Sequence, residues 1–255
     1  MNSYLVCCQS HIGNIRKVNE DNLFCGEVYK NNPLSKEFKY SHYINRNNLE
    51  VYAVFDGMGG LQCGEKASYL ASSTLYEYIK SNDNFNGVDA IKYINYLMCQ
   101  RKKQLSLDLG CTAVICSVLD NQLNVFNIGD SRAYLFRNNV LKQLSVDHTE
   151  ENSMKKINEI LGINKRNECC KNILTQHIGI DENEFLLEPS TIEISLLDKD
   201  IVMLCSDGLT SMVSDEKIRE ILGCKNKLIQ KMEKLINEAI NNGGKDNITI
   251  ILLEF

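Results

Sequence analysis

Four short stretches, Asn19-Glu20-Asp21, Asp56-Gly57-Met58-Gly59-Gly60, Ser206-Asp207-Gly208 and Lys245-Asp246-Asn247, place carboxylates beside glycine or asparagine next to apolar runs spread along the chain. Asp is a poor strand residue and Gly loses the most freedom on folding, so this punctuation repeated at strand ends calls for more than turn-making. Convergence on one hard divalent cation site is the expectation. It requires a fold that gathers distant strand ends into one place.

The apolar runs Tyr4–Cys8, Glu50–Phe55, Cys111–Leu119, Gln122–Ile128, Thr191–Leu197, Ile201–Cys205 and Ile248–Glu254 predict strands, with Asp120-Asn121 as a tight hairpin turn. Helical spacing predicts helices over Gly64–Asn82, within Asp89–Lys103, and over Asn226–Asn241, the last stopped by Gly243. Strands, a block of helices, more strands, a helical segment and a closing strand give an α+β layered fold with a largely antiparallel sheet system. Only two prolines occur, and no Gly/Ser-rich linker divides the 255 residues, so residues 1–255 are expected to form a single domain.

No apolar run approaches the ~18 residues of a membrane span. No basic segment precedes a long apolar stretch at Met1-Asn2-Ser3, so neither a signal peptide nor a membrane partner is expected, and the location is read as cytoplasmic. A formal charge of −5 argues against a nucleic-acid partner, which needs a cationic footprint. Eleven cysteines include no Cys-x-x-Cys pair; the neighbours Cys7-Cys8 and Cys169-Cys170 lack zinc-knuckle spacing, and reduced structural thiols are expected.

Each acidic stretch has a chemical reading beside a bland one. The run Val51–Phe55 delivers Asp56 to a strand end, where a tight glycine turn lets the Gly57 carbonyl face an ion as well; alone it is equally a Gly-rich loop. Ile201–Cys205 repeats the design before Asp207, and Asp246 directly precedes the final strand. Three such residues suit a binuclear site in which one carboxylate bridges two ions. Arg16 is a planar cation suited to gripping phosphate, and Glu20 and Asp21 can order water on a metal, although a solvated ion pair is the ordinary fate of such residues.

The order of these pieces, from Arg16-Lys17-Val18-Asn19-Glu20-Asp21 through Asp56-Gly57-Met58-Gly59-Gly60, Gly110-Cys111-Thr112, Gly129-Asp130-Ser131-Arg132, Asp147-His148-Thr149 and Ser206-Asp207-Gly208 to Gly243-Gly244-Lys245-Asp246-Asn247, resembles the type 2C (PPM) family of metal-dependent serine/threonine protein phosphatases. The length and the Met in Asp-Gly-Met-Gly-Gly look like its bacterial branch. The resemblance implies a four-layer αββα sandwich, two antiparallel sheets flanked by paired helices. It implies Mn²⁺ or Mg²⁺ ions, with Asp56 bridging, Asp207 and Asp246 on the first ion, and the Gly57 carbonyl on the second. Glu20 and Asp21 would hold the second ion's waters, and Arg16 the substrate phosphate. Phosphoserine and phosphothreonine in proteins would be hydrolysed by a metal-activated bridging water, opposite a cognate serine/threonine kinase, by a monomeric enzyme.

Several positions depart from that pattern. Ser211 stands where many bacterial members carry an Asp, so a third ion shared with Asp130 is expected to be weak or absent. His11 replaces a common acid, and Leu174–Gly179 lacks the usual Arg-Ala; His148 and His177 are read as loop or strand residues, and Asp147 as a turn brace. Thr149–Ile173 resembles the family's flap. Glu27–Asn48 reads as an extended hairpin or surface insertion without assigned chemistry. Two rivals stand beside this reading: a phosphatase dedicated to an anti-sigma antagonist, and a scaffold that lost its metals.

Overall fold

The computed structural model describes residues 3–45, 47–58, 63–82, 84–162, 173–181, 183 and 185–255. The chain runs β1 (Ser3–His11), β2 (Asp21–Cys25), β3 (Val28–Tyr29), β4 (Glu37–Asn45), β5 (Glu50–Met58), α1 (Gly64–Ser81) and α2 (Gly87–Leu105). Five strands follow, β6 (Gly110–Cys111), β7 (Ala113–Leu119), β8 (Gln122–Ile128), β9 (Arg132–Arg137) and β10 (Val140–Gln143), then α3 (Glu150–Leu161). The remainder is β11 (Ser190–Ser195), β12 (Ile201–Cys205), α4 (Asp207–Thr210), α5 (Asp215–Gly223), α6 (Leu228–Asn241) and β13 (Ile248–Glu254).

Two sheets result, one ordered β10-β9-β12-β13-β1-β4 and the other β11-β8-β7-β5-β2-β3, with β6 paired to the end of β5. The strand pairs of the described residues are antiparallel. Alternation along β12 explains the layering. Val202 and Leu204 join a core with Val6, Leu23, Val54, Val114, Leu135, Ile251 and Leu253, contributed by both sheets and so lying between them. Ile201, Met203 and Cys205 face the other way, onto Ile218 and Leu222 of α5 and Met232, Leu235 and Ile236 of α6. On the second sheet, Val51, Ala53 and Phe55 of β5 pack outward against Ala67, Ala71 and Leu75 of α1 and Ile91, Ile94 and Met98 of α2. Central strands are thus buried on both faces, which is why they read as continuous apolar runs rather than alternating ones.

The three helices read from spacing are present, and α2 runs beyond its predicted bounds because the Asn86 side chain accepts hydrogen bonds from the amides of Val88 and Asp89 and starts the helix early. The sequence reading named no strand at β2, β9 or β10 and no helix at α4 or α5. β9 starts at Arg132, the last residue of the Gly129-Asp130-Ser131-Arg132 motif, and α5 announces itself by Ser214, whose side chain caps the Lys217 amide. The Glu27–Asn48 stretch, read as an extended hairpin or surface insertion, contains β4, which alternates half-buried Phe38, Tyr40, His42 and Ile44 with exposed residues and extends the first sheet beside β1. Thr149 caps α3 at the start of the stretch read as a flap. Of the positions singled out from sequence, Gly59, Gly60, Cys169 and Cys170, together with residues 163–172 of the Thr149–Ile173 stretch, lie outside the described residues.

Register brings the acidic stretches to one end of the sandwich. Asp21, opening β2, is the antiparallel partner of Asp56 near the end of β5. His11 at the end of β1 pairs with Ile248 at the start of β13, and Cys205 at the end of β12 pairs with Ile250. The ends of β1 and β12 and the start of β13 therefore meet in one sheet, as do the start of β2 and the end of β5 in the other.

Candidate active site

Asp56 is held by a reciprocal backbone exchange with Thr112, whose amide donates to the Asp56 carbonyl at 2.9 Å while its Oγ1 accepts from the Asp56 amide at 3.2 Å. Thr112 Oγ1 lies 2.6 Å from Ser131 Oγ, tying β5 to the loop that carries Asp130. At Gly57 a Cβ would sit 2.0 Å from the Gly64 carbonyl oxygen and 2.5 Å from that of Glu20, so any side chain would drive the loop from α1. Gly208 is equally confined, its Cβ position 1.9 Å from the Asn247 carbonyl oxygen, which lets Asp207 and Asp246 approach each other.

The front loop is stapled to the start of β13 by Asn247. Its Oδ1 accepts from the Glu20 amide at 2.8 Å, and its Nδ2 donates to the carbonyls of Ile12 at 2.8 Å and Val18 at 3.1 Å. Asn14 donates from its amide to the Gly244 carbonyl at 2.7 Å. Beneath Asp21, Ser206 Oγ donates to Oδ2 at 2.8 Å, and Thr249 Oγ1 and Asn19 Nδ2 both donate to Ser10 Oγ at 2.9 Å. Sequence reasoning quoted Thr112, Ser131, Ser206 and Asn247 inside motifs but gave them no task. Their small hydroxyl and amide side chains beside the acids were the available signal.

Arg16, Glu20, Asp56, Gly57, Asp130, Asp207 and Asp246 line one cleft of about 340 Å³, with Asp21 buried behind it. An adjoining hollow of about 230 Å³ shares Asp130 and Asp207 and is bordered by Asp147, Thr149 and Ser211. A roomier cavity of about 570 Å³, between the end of α2 and His177, Gly179, Ile180, Asp181 and Phe185, holds no comparable cluster among the described residues; its acids Asp108 and Asp181 pair with Lys102 and Lys103. Asp147 is in a bidentate pair with Arg132, and His148 accepts from the Gly129 amide. His177 contacts the Ile178 carbonyl. None of these three lines the acidic cleft among the described residues.

The carboxylates disfavour one another's charge. Desolvation, then the neighbouring Asp21, Asp207, Asp130 and Asp246, push Asp56 well above the ordinary carboxylate range. Desolvation raises Asp21 to about 7 against hydrogen bonds from Thr249 and Ser206 and the charge of Lys30. Asp130 rises to about 7 by desolvation and by Asp207 and Asp147, and Asp207 is raised by desolvation and Asp246. Arg16 donates to Asp246 Oδ2 at 2.7 Å and lies 3.7 Å from Glu20.

Such a set, oxygen-only and short of positive charge, fits hard divalent ions. Among the described residues no three acidic, His or Cys side chains already form an ion cage. Burial pushes the Cys111, Cys116 and Cys205 thiols up, which suits them to packing and not to nucleophilic attack.

Residues 9–157 match the family model described as Protein phosphatase 2C. The serine/threonine phosphatase Stp of Listeria monocytogenes serotype 4b (strain F2365) is 32% identical over 252 residues, covering 95% of this chain and 92% of that protein. Protein phosphatase PhpP of Streptococcus pneumoniae serotype 2 is 34% identical over 222 residues, covering 84% and 89%. Among solved structures, the Mycobacterium tuberculosis serine/threonine phosphatase PstP/Ppp superposes with a TM-score of 0.76 at 26% identity, covering 99% of both chains. The catalytic domain of PstP in complex with two manganese ions has the same fold, with a TM-score of 0.75 at 24% identity, covering 99% of this chain and 98% of that one. The chain belongs to the protein phosphatase 2C family of metal-dependent hydrolases.

Proposed function

We propose that this chain removes phosphate from phosphoserine and phosphothreonine in proteins, with residues 1–255 acting as one catalytic domain around a pair of Mn²⁺ or Mg²⁺ ions. The observation that carries the reading is the gathering of Asp56, Asp130, Asp207 and Asp246 on one cleft with Asp21 behind it. The names of the Stp and PhpP relatives support the substrate class, and the manganese-bound relative supports the ion number.

In this reading Asp56, Asp207, Asp246 and the Gly57 carbonyl would hold the ions, Asp56 shared between them, and Glu20 and Asp21 would orient water beside the ion held by Gly57. Asp130 offers one carboxylate to a third position whose other wall is the neutral Ser211. The ions would supply Lewis acidity toward water and toward the phosphoryl oxygens. The protein supplies the rest. Ser206, Thr112 and Asn247 fix the carboxylate-bearing loops in advance, which lowers the reorganisation needed when substrate arrives. Arg16, half exposed at the rim, offers its guanidinium to the phosphate oxygens.

A cognate kinase, a cytoplasmic location and a monomeric state belong to the same proposal. Among the described residues no helix is long and apolar enough to cross a membrane. The test is hydrolysis of a phosphothreonine peptide by metal-stripped protein titrated with MnCl₂. Activity should appear only with metal and vanish in Asp207→Asn and Asp246→Asn; retention of full turnover in both variants would dismiss the assignment.

A further inference from the structure

Lys30 is 1% exposed, in a stretch of sequence that suggested only surface structure. Its backbone is locked by Asn22, whose Oδ1 accepts from the Lys30 amide at 3.1 Å and whose Nδ2 donates to the Lys30 carbonyl at 3.0 Å. So anchored, the side chain turns inward, and Nζ donates to the Asn19 carbonyl at 3.0 Å. The charged groups acting on the ammonium are Asp21 in β2 and Glu65 in the first turn of α1. Glu65 is itself 8% exposed, and the neighbouring Gly64 amide hydrogen-bonds the Glu20 carboxylate. Lys30 therefore stands where β3, the Asn19–Glu20–Asp21 loop and the start of α1 meet. A buried ammonium costs several kcal/mol unless its partners repay it, so a lysine here needs a reason.

We propose that Lys30 is a positioning residue for the second metal ion, its ammonium anchoring the Asn19–Glu20–Asp21 loop through the Asn19 carbonyl so that Glu20 and Asp21 meet that ion's waters. The inference rests on the metal-site reading above. Two effects of opposite sign compete. A positive charge near a cation site weakens it, whereas an anchored outer partner strengthens it. The charge of Lys30 is opposed by Asp21 and Glu65 together, while its hydrogen bond to Asn19 is direct and charge-assisted, so anchoring dominates.

The experiment is calorimetric titration of metal-stripped full-length protein with MnCl₂, in wild type, Lys30→Met and Lys30→Met/Glu65→Gln, with turnover of a phosphothreonine peptide measured in parallel. Wild type should bind two ions. Lys30→Met should weaken one binding step about tenfold or more, leave the other within about twofold, and leave KM at saturating Mn²⁺ unchanged. The double variant restores the charge balance without restoring the anchor, so its weak step should stay weak. Unchanged or tighter binding in Lys30→Met, equal weakening of both steps, or full recovery in the double variant each overturn the proposal while leaving the metal site standing. Absence of any Mn²⁺ binding by wild type removes the metal-site reading and the Lys30 role with it. Should Lys30→Met fail to fold, Lys30→Gln carries the test: without the charge-assisted bond to the Asn19 carbonyl it should weaken the same step about tenfold, the low end for an outer partner, and wild-type affinity overturns the proposal.

Discussion

Arg16 and Asp246, 230 positions apart in the chain, are joined by a 2.7 Å hydrogen bond from Nη2 to Oδ2. In the proposed reading one bond links the residue offered to phosphate with a carboxylate offered to metal, and filling the site would loosen it. Arg16→Ala should raise KM for a phosphothreonine peptide about 10–100-fold, the loss of one charge-assisted contact of about 1.5–3 kcal/mol, with a smaller effect on kcat. Mn²⁺ should bind slightly more tightly, since Asp246 is released. Steady-state kinetics and calorimetry on one preparation check both parts.

Stability of the metal-stripped protein should fall as pH rises. Asp21 and Asp130 stand at about 7 in the folded chain against an ordinary 3.8, so the folded state keeps protons that the unfolded state has lost. The stability this contributes is complete below the unfolded value and disappears as pH climbs through about 7. Melting in EDTA should drop between pH 5 and 8, and Mn²⁺ should raise the midpoint more at pH 8 than at pH 5. A flat EDTA series would count against the crowded carboxylates.

Asn247→Ala removes the acceptor for Glu20 and the donor to Ile12 and Val18 from a residue that is 2% exposed. A cost of about 2–3 kcal/mol is expected, typical of stranding buried polar groups. Chemical denaturation should report it, together with weaker Mn²⁺ activation because the front loop loses its staple. Asn247→Asp, which keeps the acceptor, should keep part of the stability.

Ser211→Asp should install the missing carboxylate. Ser211, Asp130 and Asp207 border one hollow, so a new acid there adds the charge that a further divalent ion requires. The Mn²⁺ activation curve should shift to lower concentration or gain a second phase. An unaltered curve would mean that Asp130 and residue 211 do not cooperate toward an ion.

What could be read in the chain followed from local chemistry. Apolar runs marked the doubly buried strands, 3.6-residue spacing marked α1, α2 and α6, and Asp beside Gly marked strand ends. β4 and α5 were equally local but quieter: β4 alternates its apolar residues with Lys, Ser and Asn, and α5 shows its Ser214 cap ahead of a short helix. The motif order carried the family, because seven weak signals in sequence constrain one another as no single signal does.

The sequence by itself determined which residues could bear charge at strand ends and which had to be buried, since hydrophobic period and turn chemistry act over a few positions. Only the tertiary structure decided that Asp21 faces Asp56, that Arg16 is bound to Asp246, and that Lys30 lies buried under the acidic loop. Those relations depend on sheet register and on contacts between segments far apart in the chain. No local pattern encodes them, because the field at each carboxylate comes from its neighbours in space.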